Sequence, residues 1–161
     1  MTAARVFKVP NRLAKVVQLP GGRTVAEALR AADRKIDSVR EACVGALPAK
    51  VASLTAYVDQ GRVDPAKALD GMYRTADEIF SVAGAFSLHP LAEAAYGLCD
   101  LVDCFRTEGP VNWQAISVHV NGIRLLATGE VGEADVVLSG LREVRARFMD
   151  VDDAIRSEQI R

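Results

Sequence analysis

The sequence predicts an all-α protein: an up-and-down four-helix bundle with a long leading helix and one additional helix that caps or flanks it. Three observations lead there. Apolar residues recur at three- and four-residue steps through most of the chain, the spacing that lines one face of a helix. No stretch keeps the period-two alternation of a half-buried strand for more than about four or five residues. The connections between periodic segments are short, which favours antiparallel neighbours.

The leading helix opens at Thr24, where Glu27 stands three residues on: the threonine oxygen can accept from a first-turn amide while the glutamate reaches back to the cap. Val25, Leu29, Ala32, Ile36, Val39 and Cys43 then step by four and three. After a step of four to Leu47 the stripe resumes at Val51, Leu54 and Val58, a heptad-like pattern with one stutter. Pro48 lies just past the stutter, lacks an amide donor, and kinks the rod or divides it in two. Gly61 ends it.

Asp64 and Pro65 form a cap and first-turn proline for the second helix. Its buried face is Leu69, Met72, Tyr73, Ala76, Ile79, Phe80, Ala83 and Phe86, and it runs to about Ser87. His89 and Pro90 break the chain there, because a residue before proline is pushed out of the helical region. The third helix presents Leu91, Ala94, Ala95, Leu98, Leu101, Val102 and Phe105 and stops at Gly109 and Pro110. Asn112 caps the fourth, whose face is Trp113, Ile116, Val120, Ile123 and Leu126 or Ala127, up to Gly129. The fifth uses Ala134, Val137, Leu138, Leu141, Val144 and Phe148.

The 161 residues are half apolar and a quarter charged, enough for one filled core and too few for two comfortable domains. The organisation read from them is a basic N-terminal arm over residues 1–23, a helical domain over 24–149 and a C-terminal tail over 150–161. The arm carries Arg5, Lys8, Arg12, Lys15 and Arg23 without an acidic residue, and it is punctuated by Pro10, Pro20, Gly21 and Gly22. Over the whole chain 20 basic residues face 21 acidic ones, a balance unlike that of a nucleic-acid binder or a polybasic membrane protein. The 3 cysteines, without a signal-peptide pattern or a long apolar run, point to the reducing cytoplasm, and their odd number excludes a closed set of intrachain disulfides.

Catalytic patterns are missing. A nucleophile–base pair needs a histidine near a serine, cysteine or carboxylate, and His89 and His119 stand in contexts without a glycine elbow or oxyanion signature. Cys99 and Cys104, five apart on one helix, turn away from each other and read as buried or half-buried thiols, so neither a metal site nor another cofactor is expected. No glycine-rich phosphate loop is present. His119 lies beside Ile116 and Ile123 at the flank of the core stripe, as a boundary histidine with one local hydrogen bond. His89 reads as a turn residue.

One segment carries a resemblance. Met72-Tyr73-Arg74-Thr75-Ala76-Asp77-Glu78-Ile79, continuing through Gly84, Phe86, Pro90 and the Leu98-Cys99 pair, resembles the central two helices of histidine-phosphotransfer (HPt) domains. There the second helix carries an Ala-His-Asp-Ile-Lys-Gly-like phosphorylation motif. Residues 113–126 look like the fourth helix of the same group. The likeness extends over residues 24–148 as an order of helices, with recognisable residues in the second, third and fourth. In one alignment Asp77 fills the place of the phosphorylated histidine, Phe80 that of the lysine and Ser81 that of the glycine; a differently placed gap puts Phe80 at the histidine. In both, the acceptor is replaced. An acceptor-less HPt-like bundle with a basic arm and Ala83-Gly84-Ala85-Phe86 at the helix end is similar to the CheE family of accessory proteins from alphaproteobacterial chemotaxis clusters.

The resemblance implies a cytoplasmic, non-enzymatic adaptor in a two-component or chemotaxis pathway. Its partner is then a response-regulator receiver domain or the chemotaxis kinase complex, met by an exposed strip of Arg74, Asp77, Glu78, Ser81, Gly84 and Ala85. Small residues at 81, 84 and 85 let a partner backbone approach closely. Two alternatives stand beside it: a dimerisation or assembly protein acting through the leading helix, and a phosphotransfer protein using His119.

Overall fold

The computed structural model describes residues 22–107, 110–129 and 132–159, with side chains of the last helix as far as Phe148. Most of the basic arm, residues 1–21, lies outside the described residues. Within them the chain forms α1 (Val25–Gly45), α2 (Leu47–Gln60), α3 (Pro65–Ala85), α4 (His89–Thr107), α5 (Trp113–Thr128) and α6 (Ala134–Gln159). It divides into two units, Met1–Val39 and Arg40–Arg161.

Six helices among the described residues correct the four-helix bundle with one additional helix expected from the sequence. The leading rod is divided rather than kinked. Pro48 has no amide to give to the turn before it, so α1 ends at Gly45, and the Ala46 amide shares the carbonyls of Ala42 and Cys43 at 3.2 and 3.3 Å. Leu47 then starts α2 with the proline in its first turn.

In the first unit, the capping box opens α1 as read. The Glu27 amide donates to Thr24 Oγ1 at 3.2 Å and the Thr24 amide donates to Glu27 Oε2 at 2.8 Å. These bonds from Thr24, the backbone one foremost, hold the Glu27 carboxyl below its ordinary value. No residue of α1 is buried: Val25, Leu29, Ile36 and Val39 are 77, 60, 46 and 41% exposed. The leading stripe is thus at the surface from Val25 to Val39, while its continuation at Leu47, Val51 and Leu54 is buried.

The second unit holds the core. Helix α2 touches α3 and α5, α4 touches α3, α5 and α6, and α6 also lies on α5. Leu54, Met72, Ile79, Leu98, Leu101, Ile116 and Ile123 are fully buried at the centre, each contributing about 1.5–3 kcal/mol by leaving water. The predicted face of α4 is buried throughout, from Leu91 to Phe105. Helix α3 begins as expected: Asp64 accepts from the Lys67 amide at 3.1 Å and Pro65 follows. It ends through Ser87, whose φ of 60° is left-handed, with the Leu88 amide reaching back to the Ala83 carbonyl at 2.8 Å. Asn112 caps α5 by accepting from the Ala115 amide at 3.0 Å, and Gly129 closes it at φ 68°. Ion pairs join neighbouring helices at the rim: Lys50 to Glu78, Arg106 to Asp70, Arg142 to Glu93 and Arg145 to Asp100.

Candidate functional site

Helix α3 buries Ala68, Leu69, Met72, Ala76, Ile79 and Ala83. At about 100° per residue, everything opposite that face looks outward, and Arg74, Asp77, Glu78, Ser81, Gly84 and Ala85 are all exposed. They lie within roughly a third of the helix circumference, so the fold brings the six onto one strip. A side chain at Gly84 would meet nothing within 4 Å, which leaves the backbone open to approach.

The borders of the strip are tertiary features. On the α2 side, Glu78 is tied to Lys50. On the α4 side, Phe80 and Tyr96 stack at 5.8 Å between ring centres, tilted by 48°, while remaining 40 and 49% exposed. Phe80 is therefore not a core residue, correcting the expected face of this helix; α4 offers it a partner ring at the surface rather than a hole in the core. Tyr96 has no counterpart in the sequence reading, because a tyrosine on the polar side of a helix carries no signal until another ring meets it. Further along the seam, Arg106 lies over the Tyr73 ring at 5.0 Å and pairs with Asp70 and Asp103.

Negative charge dominates this seam. Burial, aided by Asp77, Asp100 and Asp103, pushes the Cys99 thiol up to about 12, which keeps it protonated and unreactive. Asp103, foremost among several neighbours, holds the Tyr73 phenol above its ordinary value. Added phosphate beside Asp77 would meet this acidic field, while Lys50 is already tied to Glu78.

The two histidines sit differently from their readings. His89 is the first residue of α4 and exposed, rather than outside any helix. His119 is fully buried, not at a boundary. Its Nδ1 lies 3.3 Å from the Ala115 carbonyl, one turn back, so the ring proton belongs on Nδ1, and Nε2 has no hydrogen-bond partner among the described residues. Nε2 faces a space of about 10 Å³ bounded by Glu93, Gly97, Leu138, Leu141, Arg142 and Arg145. The burial arises from α6: its Leu138 and Leu141 cover α5, and its arginines fasten to Glu93 and Asp100 on α4. The ring has no exposed surface in this arrangement.

Cys99 is buried, Cys43 and Cys104 half-buried, and no group of three or more His, Cys, Asp or Glu suited to a metal ion occurs among the described residues. No helix among them is long and apolar enough to cross a membrane. No protein-family model, curated protein or solved structure matches the chain.

Proposed function

We propose that the protein is a non-catalytic cytoplasmic signalling adaptor whose α3 strip docks a response-regulator receiver domain or the chemotaxis kinase complex, as the resemblance to acceptor-less HPt proteins implies. One observation carries this reading: Arg74, Asp77, Glu78, Ser81, Gly84 and Ala85 form a single exposed strip edged by the surface Phe80–Tyr96 pair. Exposed aromatics beside small residues give a partner an anchor and a close approach. Titration of isotopically labelled protein with purified receiver domains tests it. Shifts confined to residues 74–85 and to Tyr96, abolished by Phe80→Ala and Gly84→Trp together, are the expected result. Unchanged spectra with every receiver and with the kinase complex overturn it.

Self-assembly through α1 is the second reading, favoured by the exposure of Val25, Leu29, Ile36 and Val39 along one heptad stripe. Since none of these is buried, Ile36→Glu with Val39→Lys leaves the fold intact. If α1 mediates assembly, the variant is a folded monomer where the parent chain is a dimer by light scattering. Equal mass for both refutes it.

A further inference from the structure

We infer that one end of the Arg40–Arg161 unit binds a single-chain amphiphile with an anionic head, a long-chain fatty acid. The tail site is a cavity of about 400 Å³, lined among others by Val44, Leu47, Pro48, Leu91, Leu126 and Ala127. Its origin is local. The proline that divides the leading rod puts a turn where a continuous helix would have run, and the facing positions Ala127, Gly129 and Ala134 are too small to fill the space. The volume lies in the range of small-molecule pockets, about 300–1,000 Å³.

A second hollow of about 190 Å³ lies along the seam between α2 and α5, with Pro48 and Ala127 in the wall of both. Its walls are Val51, Ala52, Thr55 and Thr128, and both hydroxyls are already committed, donating to the carbonyls of Val51 and Leu125 at 3.4 and 3.0 Å. Among the described residues, the single charged residue lining either space is Arg124, one helical turn from Ala127. Arg124 is exposed and makes no ion pair among the described residues, unlike Arg106, Arg142 and Arg145.

Adjoining apolar hollows beside a guanidinium that has no ion pair among the described residues match a hydrocarbon chain bearing a carboxylate. The tail removes apolar wall from water, and the planar head can accept two parallel N–H bonds from the arginine. A neutral hydrocarbon would leave Arg124 unused.

Displacement of dansyl-undecanoate from the full chain tests the assignment, with laurate and lauryl alcohol as competitors below their aggregation thresholds. Laurate is expected to displace the probe with one-to-one stoichiometry, and lauryl alcohol about tenfold more weakly, a difference of about 1.4 kcal/mol. Arg124→Gln should weaken laurate by the same factor and leave lauryl alcohol unchanged. Ala127→Phe fills the cavity and abolishes both; Ala134→Trp fills it from the other side and serves where the first variant loses its helical circular dichroism. Absence of displacement, equal competition by acid and alcohol, indifference to Arg124→Gln, or binding that survives both filling variants each overturns the proposal.

Discussion

Replacing His119 with leucine should leave the protein as stable or more stable at neutral pH and remove part of its acid sensitivity. The ring is fully buried, and Nε2 lacks a hydrogen-bond partner among the described residues. An unsatisfied buried polar atom costs about 1–3 kcal/mol, and the Nδ1 bond that leucine forfeits returns about 0.5–1.5 kcal/mol. The Ala115 carbonyl also belongs to the helix ladder, so losing the imidazole does not orphan it. Leucine is close to the ring in volume, and the net expectation is a gain of about 1 kcal/mol, or a rise of about 2–4 °C in Tm for a chain of this size. The pH dependence has a definite sign. Burial first, then Arg145, lowers His119 from the ordinary 6.5, against the opposing Ala115 bond. The surrounding charges are Glu93 and Asp100 on α4 and Arg142 and Arg145 on α6, already paired with one another. Below pH 6.5 the unfolded chain takes up a proton that the folded chain refuses. The contribution is therefore fully present above that pH and is lost as pH falls towards the depressed folded value, with a slope of at most about 1.4 kcal/mol per pH unit. Urea unfolding of both proteins between about pH 8 and about pH 5 isolates the histidine as the difference between the curves, since the carboxylates are common to both. A leucine variant less stable by more than about 2 kcal/mol, or one with the parent's acid slope, refutes the reasoning.

Three glycine and serine positions give further tests. Gly97→Ala should stabilise by about 0.5–1 kcal/mol, because its Cβ would sit at ordinary contact, 3.6 Å from His119 Nε2, inside α4; thermal unfolding reads the gain. Gly61→Ala should cost about 1–3 kcal/mol, because its Cβ would overlap the Trp113 indole, with a matching change in tryptophan fluorescence. Ser87→Gly should stabilise by about 1 kcal/mol in urea unfolding, relieving the left-handed φ of 60° at the end of α3.

Local signals in the sequence suffice where the physics is local. The capping box at Thr24, the Asp64 and Asn112 caps and the terminal glycine at 129 depend on contacts within one turn, and each forms. The outward strip from Arg74 to Ala85 was equally legible, since a helix with one buried face must expose the other. Gly61 shows where such reasoning stops. Its position suits a helix-ending glycine, yet its φ is −59°, which any residue adopts, and what requires glycine there is the indole of Trp113 from α5.

By itself the sequence determined that the chain is helical, where most helices start and stop, and which face of α3 to α6 is apolar, because these follow from backbone periodicity and single-turn hydrogen bonds. Tertiary structure decided which apolar stripes have partners. The same four-three spacing is buried at Leu54 and Ile116 and left in water at Leu29 and Ile36, because periodicity specifies a face and not what covers it. It also decided that the rod divides at Pro48, that Phe80 meets Tyr96 at the surface, and that His119 is sealed by α6. Each of these depends on side chains distant in the chain arriving at one place, and the spacing of residues along a single helix holds no record of its neighbours.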